Sequence, residues 1–538
     1  MSSAVAPTEV IEADTIVVGA GVTGIYQLYR LREQGHNARL LEAGSGVGGT
    51  WYWNRYPGAR FDSESYTYGY FFSEELLDEW TWSEEFASQP ETERYLNFVV
   101  DKFALREFID FDARVRSAVW NAANSVWEVE TEQGVRYRAQ FLITALGILS
   151  APQFPSAPGI GTYQGEAYHT GVWPDRDIDF TGKRVAVIGT GSSGVQIVPF
   201  VAETAAQLTV FQRTPNWCTP INNKPIDAKR AAELRLSMSE IYRATQESAA
   251  GGMYRTEPGA LLDLTPEEQR AHLDRLYGAP GLSMVLANFR DVAINAEANA
   301  VVTDYLADRI RTRVNDPSVA AKLIPTDHHY GQKRPPLENG YYEAFNRHNV
   351  SLISTEEEPI ERFTETGLRT ASGDYTFDMI VFATGFDSVV GSYNLIDIVG
   401  TTRSLKEHWA NGPRTHLGIQ SAGFPNLFMV GGAQSTTGNI PRATEPQVDW
   451  VMRLINWMQE QGAASVDTTV SAEDEWIDHV HSGLVGSLLE KAESWAFGSN
   501  VPGSARAYRL YAGGLPLYRE KISEVEQNDY RGFTFTSK

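Results

Sequence analysis

The chain holds one cysteine, Cys218, among 538 residues. A single thiol excludes internal disulfides and any Cys-x-x-Cys redox pair, and it fits a reducing compartment, so a cytoplasmic location is expected. Long hydrophobic runs are missing as well. The longest largely apolar stretch, Phe141 to Leu149, covers nine residues, about half of the ~20 that a membrane helix needs. Met1 to Pro7 has neither a basic n-region nor an apolar h-region; it reads as a short disordered lead-in, not a signal peptide. Positive charge is in deficit. Lys and Arg number 46 against 68 Asp and Glu, for a formal net charge of −22. That repels phosphate backbones and argues against a nucleic acid partner. No metal site is expected: Asp478-His479-Val480-His481 has tempting spacing but falls in an amphipathic helical pattern and reads as a solvated face.

Apolar residues make up 42 %, enough for the three or four domains that roughly 150 residues per domain suggest. Two glycine-rich loops organise the chain. Thr15–Val18 reads as a strand running into Gly19-Ala20-Gly21-Val22-Thr23-Gly24, followed by a helix to about Gln34 and a strand from Ala38 to Glu42. Arg184–Ile188 reads as a strand running into Gly189-Thr190-Gly191-Ser192-Ser193-Gly194, followed by a helix over about Val195–Ala205 and a strand Leu208–Gln212. Two strand–loop–helix–strand units predict an α/β fold with two Rossmann-like dinucleotide-binding domains. Between Pro225 and Pro325 helix formers take over. Thr265-Pro266-Glu267-Glu268 is a capping box, and Val301, Val302, Tyr305, Leu306, Ile310 and Val314 recur at helical spacing. This stretch reads as a helical insertion, 225–325. Strand patterns return at Tyr375–Thr384 and Phe428–Gly431, and Phe141–Gly147 closes the first segment.

The residue ending the second strand of each unit selects the nucleotide. In the first unit it is Glu42, 18 positions after Gly24. A carboxylate there accepts ribose hydroxyls and repels a 2′-phosphate, which suits FAD or NAD. In the second it is Arg213, 19 positions after Gly194. A guanidinium there pairs with a 2′-phosphate, which suits NADPH. Ordinary surface charge is the alternative for both, and their spacing favours the nucleotide. Disulfide reductases need a cysteine pair beside the flavin. With one cysteine, monooxygenation is the leading option.

Between the two loops, Tyr163-x-Gly165-x-x-x-His169-x-x-x-Trp173-Pro174 resembles the Baeyer–Villiger monooxygenase signature Phe-x-Gly-x-x-x-His-x-x-x-Trp-Pro/Asp, with Tyr163 at the Phe position. A second family pattern, Ala/Gly-Gly-x-Trp-x-x-x-x-Phe/Tyr-Pro-Gly/Met-x-x-x-Asp, matches the segment from Gly48 to Asp62 at every defined position. The chain is therefore similar along essentially its whole length to the type I, FAD- and NADPH-dependent Baeyer–Villiger monooxygenases of the cyclohexanone and phenylacetone monooxygenase group. That resemblance implies conversion of a ketone and O2 to an ester or lactone through a C4a-peroxyflavin. It implies an FAD domain of 1–148 with 386–538 and an NADP domain of 149–224 with 326–385.

By the same resemblance Arg334 is the catalytic cation beside the flavin and Asp62 the carboxylate that holds it. Thr50, Trp51, Tyr52, Trp53, Tyr68 and Ile440 fall where the family contacts FAD. Thr190, Ser192, Ser193, Gln196, Thr214 and Lys333 join Arg213 on the NADP side, and Trp495 lies on a loop that closes over NADP. Ser435, Thr436, Thr437 and Gly438 form the substrate-pocket loop, smaller and more polar than the family pattern. Phe61 replaces a residue that is often small. Tyr163 adds a hydroxyl to an aromatic anchor. His169 reads as an orienting hydrogen-bond residue, and His328-His329 as at most supporting the site. Two alternatives stay open: a flavin monooxygenase oxidising nitrogen or sulfur, and a non-catalytic NADPH- and FAD-binding sensor. The sequence leaves the ketone and the oligomeric state open.

Overall fold

The computed structural model describes residues 10–537; the expected lead-in at Met1–Pro7 lies outside them. Strand Val10–Val18 pairs in parallel with Ala38–Leu41 on one side and Arg136–Thr144 on the other. Ile16 and Val17 are fully buried, as an apolar run must be when both faces of a parallel sheet are covered. An antiparallel meander through Val126–Thr131 and Val115–Asn121 extends this sheet. Two strands from far along the chain complete it. Asp397–Val399 adds to Val115–Asn121, and Leu427–Met429 adds to Arg136–Thr144. Helix Ile440–Gln461 then lies against the first glycine-loop helix, Val22–Glu33.

The second sheet has five parallel strands in the order Val350–Ser354, Gln207–Gln212, Arg184–Ile188, Met379–Phe382 and Glu166–His169. The Tyr163–Pro174 segment thus supplies the edge strand of this sheet. Between 225 and 325 the described structure has helices and no strand. The capping box is formed: Thr265 Oγ1 accepts from Glu268 N–H at 3.4 Å, and Glu268 Oε2 accepts from Thr265 N–H at 2.9 Å. Val302, Leu306 and Ile310 of helix Ala296–Arg313 are buried in one core with Val185, Val187 and Leu208 of the second sheet.

Several sequence expectations need correction: the strand expected at Phe428–Gly431 is Leu427–Met429, and that expected at Phe141–Gly147 is Arg136–Thr144. Tyr375–Thr384 is not one strand. Gly373–Thr376 closes a three-stranded antiparallel sheet with Gly367–Thr370 and Ile360–Thr364, and Met379–Phe382 enters the parallel sheet. The break falls at Asp378, whose carboxylate accepts from Arg184 N–H at 2.8 Å and Arg184 Nη2 at 2.7 Å. That pins the chain to the start of a different sheet. The first strand also begins at Val10, not Thr15, because pairing with Arg136–Thr144 starts at Val10 and includes polar Glu12. Among the described residues no helix is long and apolar enough to cross a membrane.

Candidate active site

The two glycine loops have the same geometry. Gly19 and Gly189 sit at φ +104° and +109°, which a side chain disfavours. A Cβ on Gly24 would lie 1.8 Å from Gly19 O, and one on Gly194 would lie 2.1 Å from Gly189 O. Helix and loop therefore touch backbone to backbone. Gly21 and Gly191 are the N-cap residues of their helices, and neither helix start carries a side-chain cap. A Cβ on Gly191 would meet nothing within 4 Å. Each helix thus presents uncapped N–H groups and its positive dipole end, the second of them to open space, which is how a pyrophosphate is held.

Both loops open into one cleft of about 1720 Å³. An ordinary small-molecule site holds roughly 300–1,000 Å³, so there is room for more than one ligand. Glu42 lines the cleft, 4 % exposed. Its two oxygens accept from the N–H groups of Ala20 and Gly44, both at 2.7 Å. Burial raises its pKa. Each oxygen keeps a second lone pair for a ribose hydroxyl. Asn54 lines the same cleft; it is buried and its Oδ1 has no partner among the described residues. The uncapped loops, the open space at Gly191 and the Glu42 carboxylate fit FAD and a nicotinamide dinucleotide.

Thr50, Trp51, Trp53, Tyr68 and Ile440 also line the cleft. Trp51 Nε1 donates to Tyr68 Oη at 3.0 Å, and Phe61 stacks on Tyr68 with centroids 4.4 Å apart. Tyr52 does not line it. Its ring packs where Cβ atoms on Gly44 and Gly46 would lie, and its hydroxyl meets Ser45 Oγ at 2.8 Å. Ser435 does not line it either; it is 1 % exposed and donates to Gly432 O at 2.8 Å. Thr436, Thr437 and Gly438 do. Gly438, at φ +116°, lies so close to Ala250 O that a Cβ would fall 2.6 Å from it.

Asp62 and Arg334 meet in this cleft. Arg334 Nη2 and Nε both donate to Asp62 Oδ2, at 2.5 and 3.2 Å. The Asp62 side chain is 10 % exposed and that of Arg334 42 %. Next along the chain, Lys333 Nζ donates to Asp327 Oδ2 at 2.8 Å. Arg213 is exposed, lines the cleft and has no ion pair among the described residues. Thr190, Gly191, Ser192, Ser193 and Thr214 line the cleft around it. Gln196, on the helix after the second loop, accepts from Tyr56 Oη–H at 2.7 Å and donates to Arg60 O at 3.0 Å. It joins that helix to the Gly48–Asp62 segment. Trp495 opens a short 3-10 turn, Trp495–Phe497, at the rim.

The Tyr163–Pro174 segment stands behind the cleft, with only Gly171 and Val172 reaching it. Tyr163 Oη donates to Phe377 O at 3.1 Å and crowds Gly165, where a Cβ would lie 2.2 Å from that hydroxyl. His169 is 2 % exposed. Its Nδ1 accepts from Gly171 N–H at 2.9 Å and its Nε2 faces Gln153 O at 3.3 Å. Burial pushes its pKa down to about 4, so the imidazole is neutral and orients the chain. Trp173 is buried and its backbone N–H donates to Trp53 O at 2.9 Å; Pro174 follows it. His479 pairs with Tyr511 Oη at 2.9 Å. No cluster of metal-ligating side chains occurs among the described residues.

Asn54 and Asp327 are site residues that the sequence reading missed. Neither carries a spacing signal of its own, although Asp327 lies six positions before the Lys333-Arg334 pair.

Residues 16–248 match the family model described as pyridine nucleotide-disulphide oxidoreductase. Cys218 is 3 % exposed, burial pushes its thiol up, and it has no second cysteine to pair with. The likeness is therefore to the nucleotide-binding fold and not to dithiol chemistry. The chain is 42 % identical over 532 residues to 2-oxo-Δ3-4,5,5-trimethylcyclopentenylacetyl-CoA monooxygenase of Pseudomonas putida, covering 97 % of this chain and 98 % of that protein. It is 39 % identical to a Baeyer–Villiger monooxygenase of Pseudooceanicola batsensis, covering 96 % and 95 %. It is 38 % identical to phenazine N-monooxygenase PhzNO1 of Lysobacter antibioticus, covering 97 % of each. A crystal structure of OTEMO in complex with FAD and NADP superimposes with a TM-score of 0.94 at 42 % identity, over 97 % of this chain and 99 % of that one. With both glycine loops and full-length relatives in agreement, the chain belongs to the Baeyer–Villiger monooxygenases.

Proposed function

We propose that the enzyme uses NADPH and O2 to convert ketones to esters or lactones, with Arg334 as the catalytic cation and Asp62 as its positioning residue. The observation that carries the assignment is the Arg334–Asp62 pair in the cleft that both glycine loops enter. Bound FAD would supply the redox chemistry, with NADPH as reductant and O2 as oxidant. The protein supplies charge and position. Arg334 directs N–H donors toward the place where negative charge develops on the substrate carbonyl oxygen. Asp62 fixes the plane of the guanidinium through a single oxygen. Trp51, Phe61 and Tyr68 form an apolar wall that limits water beside the reacting atoms.

In this proposal residues 1–148 with 386–538 hold FAD, 149–224 with 326–385 hold NADPH, and 225–325 form the helical insertion. Sheet membership supports that division, since Asp397–Val399 and Leu427–Met429 join the first sheet and Val350–Ser354 and Met379–Phe382 the second. A cytoplasmic location is part of the proposal, supported by the lone buried thiol. The test is a panel of cyclic, linear, aromatic and bulky ketones scored by ester or lactone product. A protein that retains FAD and oxidises NADPH yet forms no ester from any of them would overturn it.

One observation favours a second activity: a full-length relative is named for phenazine N-oxidation. Aromatic N-heterocycles belong in the same panel, scored by N-oxide.

A further inference from the structure

Two chain segments carry the cations at the NADPH end of the cleft, and they are stitched to each other. Arg213 begins one and Lys333 ends the other. Trp217 Nε1 donates to His328 O at 3.1 Å, and Asn216 Nδ2 donates to Arg334 O at 3.1 Å. Trp217 is 3 % exposed, so this seam is buried at one end. Within it, Asp327 uses both oxygens. Oδ1 accepts from His328 Nδ1 at 2.6 Å, and Oδ2 accepts from Lys333 Nζ at 2.8 Å. The His328 side chain is 4 % exposed and the Lys333 side chain 18 %. Burial opposes ionisation of Asp327, but the hydrogen bonds from Lys333 and His328 outweigh it and hold its carboxyl below the usual range.

We propose that Asp327 is a coenzyme-specificity residue: anchored by buried His328, its carboxylate holds the Lys333 ammonium opposite Arg213, ready for the 2′-phosphate of NADPH. A lysine ammonium rides on a flexible four-carbon stem. Left free, it loses rotamer freedom when it meets a phosphate; held by Asp327, it has already lost most of it. His328 is the rigid part of the device, because it is buried and spends its Nδ1 proton on Asp327 Oδ1. The carboxylate also places a negative charge near the incoming phosphate. That repulsion opposes binding, and the ordering of Lys333 outweighs it. Asp327 acts through Lys333, so it is a positioning residue and not a catalytic one.

The proposal rests on Arg213 and Lys333 as readers of the 2′-phosphate, and the experiment separates the two. NADP+ and NAD+ are titrated calorimetrically into the FAD-loaded enzyme and its Asp327→Asn, Asp327→Ser, Lys333→Ala and Asp327→Asn/Lys333→Ala variants. FAD content and melting midpoint serve as controls of folding. Both Asp327 variants should keep FAD, weaken NADP+ about tenfold and change NAD+ less than about twofold. With Lys333 already removed, Asp327→Asn should cost nothing further, since the two residues act as one unit. Unchanged or tighter NADP+ binding in the Asp327 variants would overturn the proposal, as would equal losses with NAD+ or an undiminished loss in the double variant. If Lys333→Ala itself leaves NADP+ binding unchanged, the phosphate assignment beneath it falls instead.

Discussion

Arg334 and Asp62 lie 272 positions apart in sequence, and both contacts between them fall on one oxygen, Asp62 Oδ2. A fork-to-fork pair would occupy both carboxylate oxygens. Here the guanidinium is clamped along one edge, and Arg334 Nη1 has no acceptor among the described residues. The geometry fixes the plane of the cation while leaving donor capacity for a ligand. Losing one such donor costs roughly a hundred- to a thousandfold in rate, about 2.7–4 kcal/mol. Arg334→Ala should therefore abolish most ester formation while FAD stays bound. Asp62→Ala should be milder, and Arg334→Lys should rescue only in part, because a point charge cannot reproduce the planar fork. Ester yield and hydrogen peroxide release per NADPH consumed check this. Near wild-type ester formation by Arg334→Ala would remove it from the active site.

Arg213 has no ion pair among the described residues and lines the cleft together with the second glycine loop. A charge-assisted hydrogen bond is worth about 1.5–3 kcal/mol, so Arg213→Ala should raise the KM for NADPH about 10- to 100-fold and leave that for NADH nearly unchanged. Steady-state kinetics with both coenzymes decides. Equal losses would mean that Arg213 supports the fold.

The parts of this molecule legible in sequence are those whose cause is local. A glycine loop, its flanking strand and its helix lie within about thirty residues, and both units formed, with the first strand starting earlier at Val10 and the second helix at Ser192. The Arg334–Asp62 and Gln196–Tyr56 contacts join distant segments, so no spacing rule reveals them; only likeness to a family could. Side-chain direction was less legible still. Tyr52 turns from the cleft because Gly44 and Gly46 leave room for its ring, and Ser435 turns inward to a carbonyl. Asp327 was missed because a lone aspartate in a loop has no signature until its partners surround it.

His169 should give stability a pH signature. Its folded pKa of about 4 lies below the unfolded value near 6.5. The stability that its neutral form contributes is thus fully present above pH 6.5 and is lost as pH falls from 6.5 toward 4. The full effect is about 3 kcal/mol. Denaturant unfolding of wild type and His169→Gln across that range should show the wild-type advantage shrinking with acid. Parallel curves would mean that the imidazole titrates freely in the folded state.

Thr437 lines the cleft at the loop expected to bound the substrate. If it does, Thr437→Phe should depress turnover of bulky ketones more than of small ones, since overpacking costs about 1–3 kcal/mol. Ester formation from cyclohexanone and from a bulky cyclic ketone is the comparison. Equal responses of the two size classes would place this loop outside the pocket.

Gly191 and Gly194 are three residues apart at the start of one helix, yet their substitutions should fail in different ways. A Cβ on Gly194 would lie 2.1 Å from Gly189 O and 2.9 Å from Gly189 C. Those are backbone atoms of the preceding strand end and cannot swing aside. Gly194→Ala should therefore destabilise the second sheet by about 3 kcal/mol or more, seen as a lower unfolding midpoint with or without coenzyme. A Cβ on Gly191 meets no protein atom within 4 Å, and its backbone at φ −76°, ψ −169° suits any residue. Gly191→Ala should fold with stability within about 0.5 kcal/mol of wild type. Its methyl group would stand where the pyrophosphate approaches the helix amides, so NADP+ binding should weaken by more than about tenfold while FAD is retained. Should Gly191→Ala bind NADP+ as wild type does, the open face of this loop is not where the coenzyme docks, and the placement of the NADPH site would have to move with it.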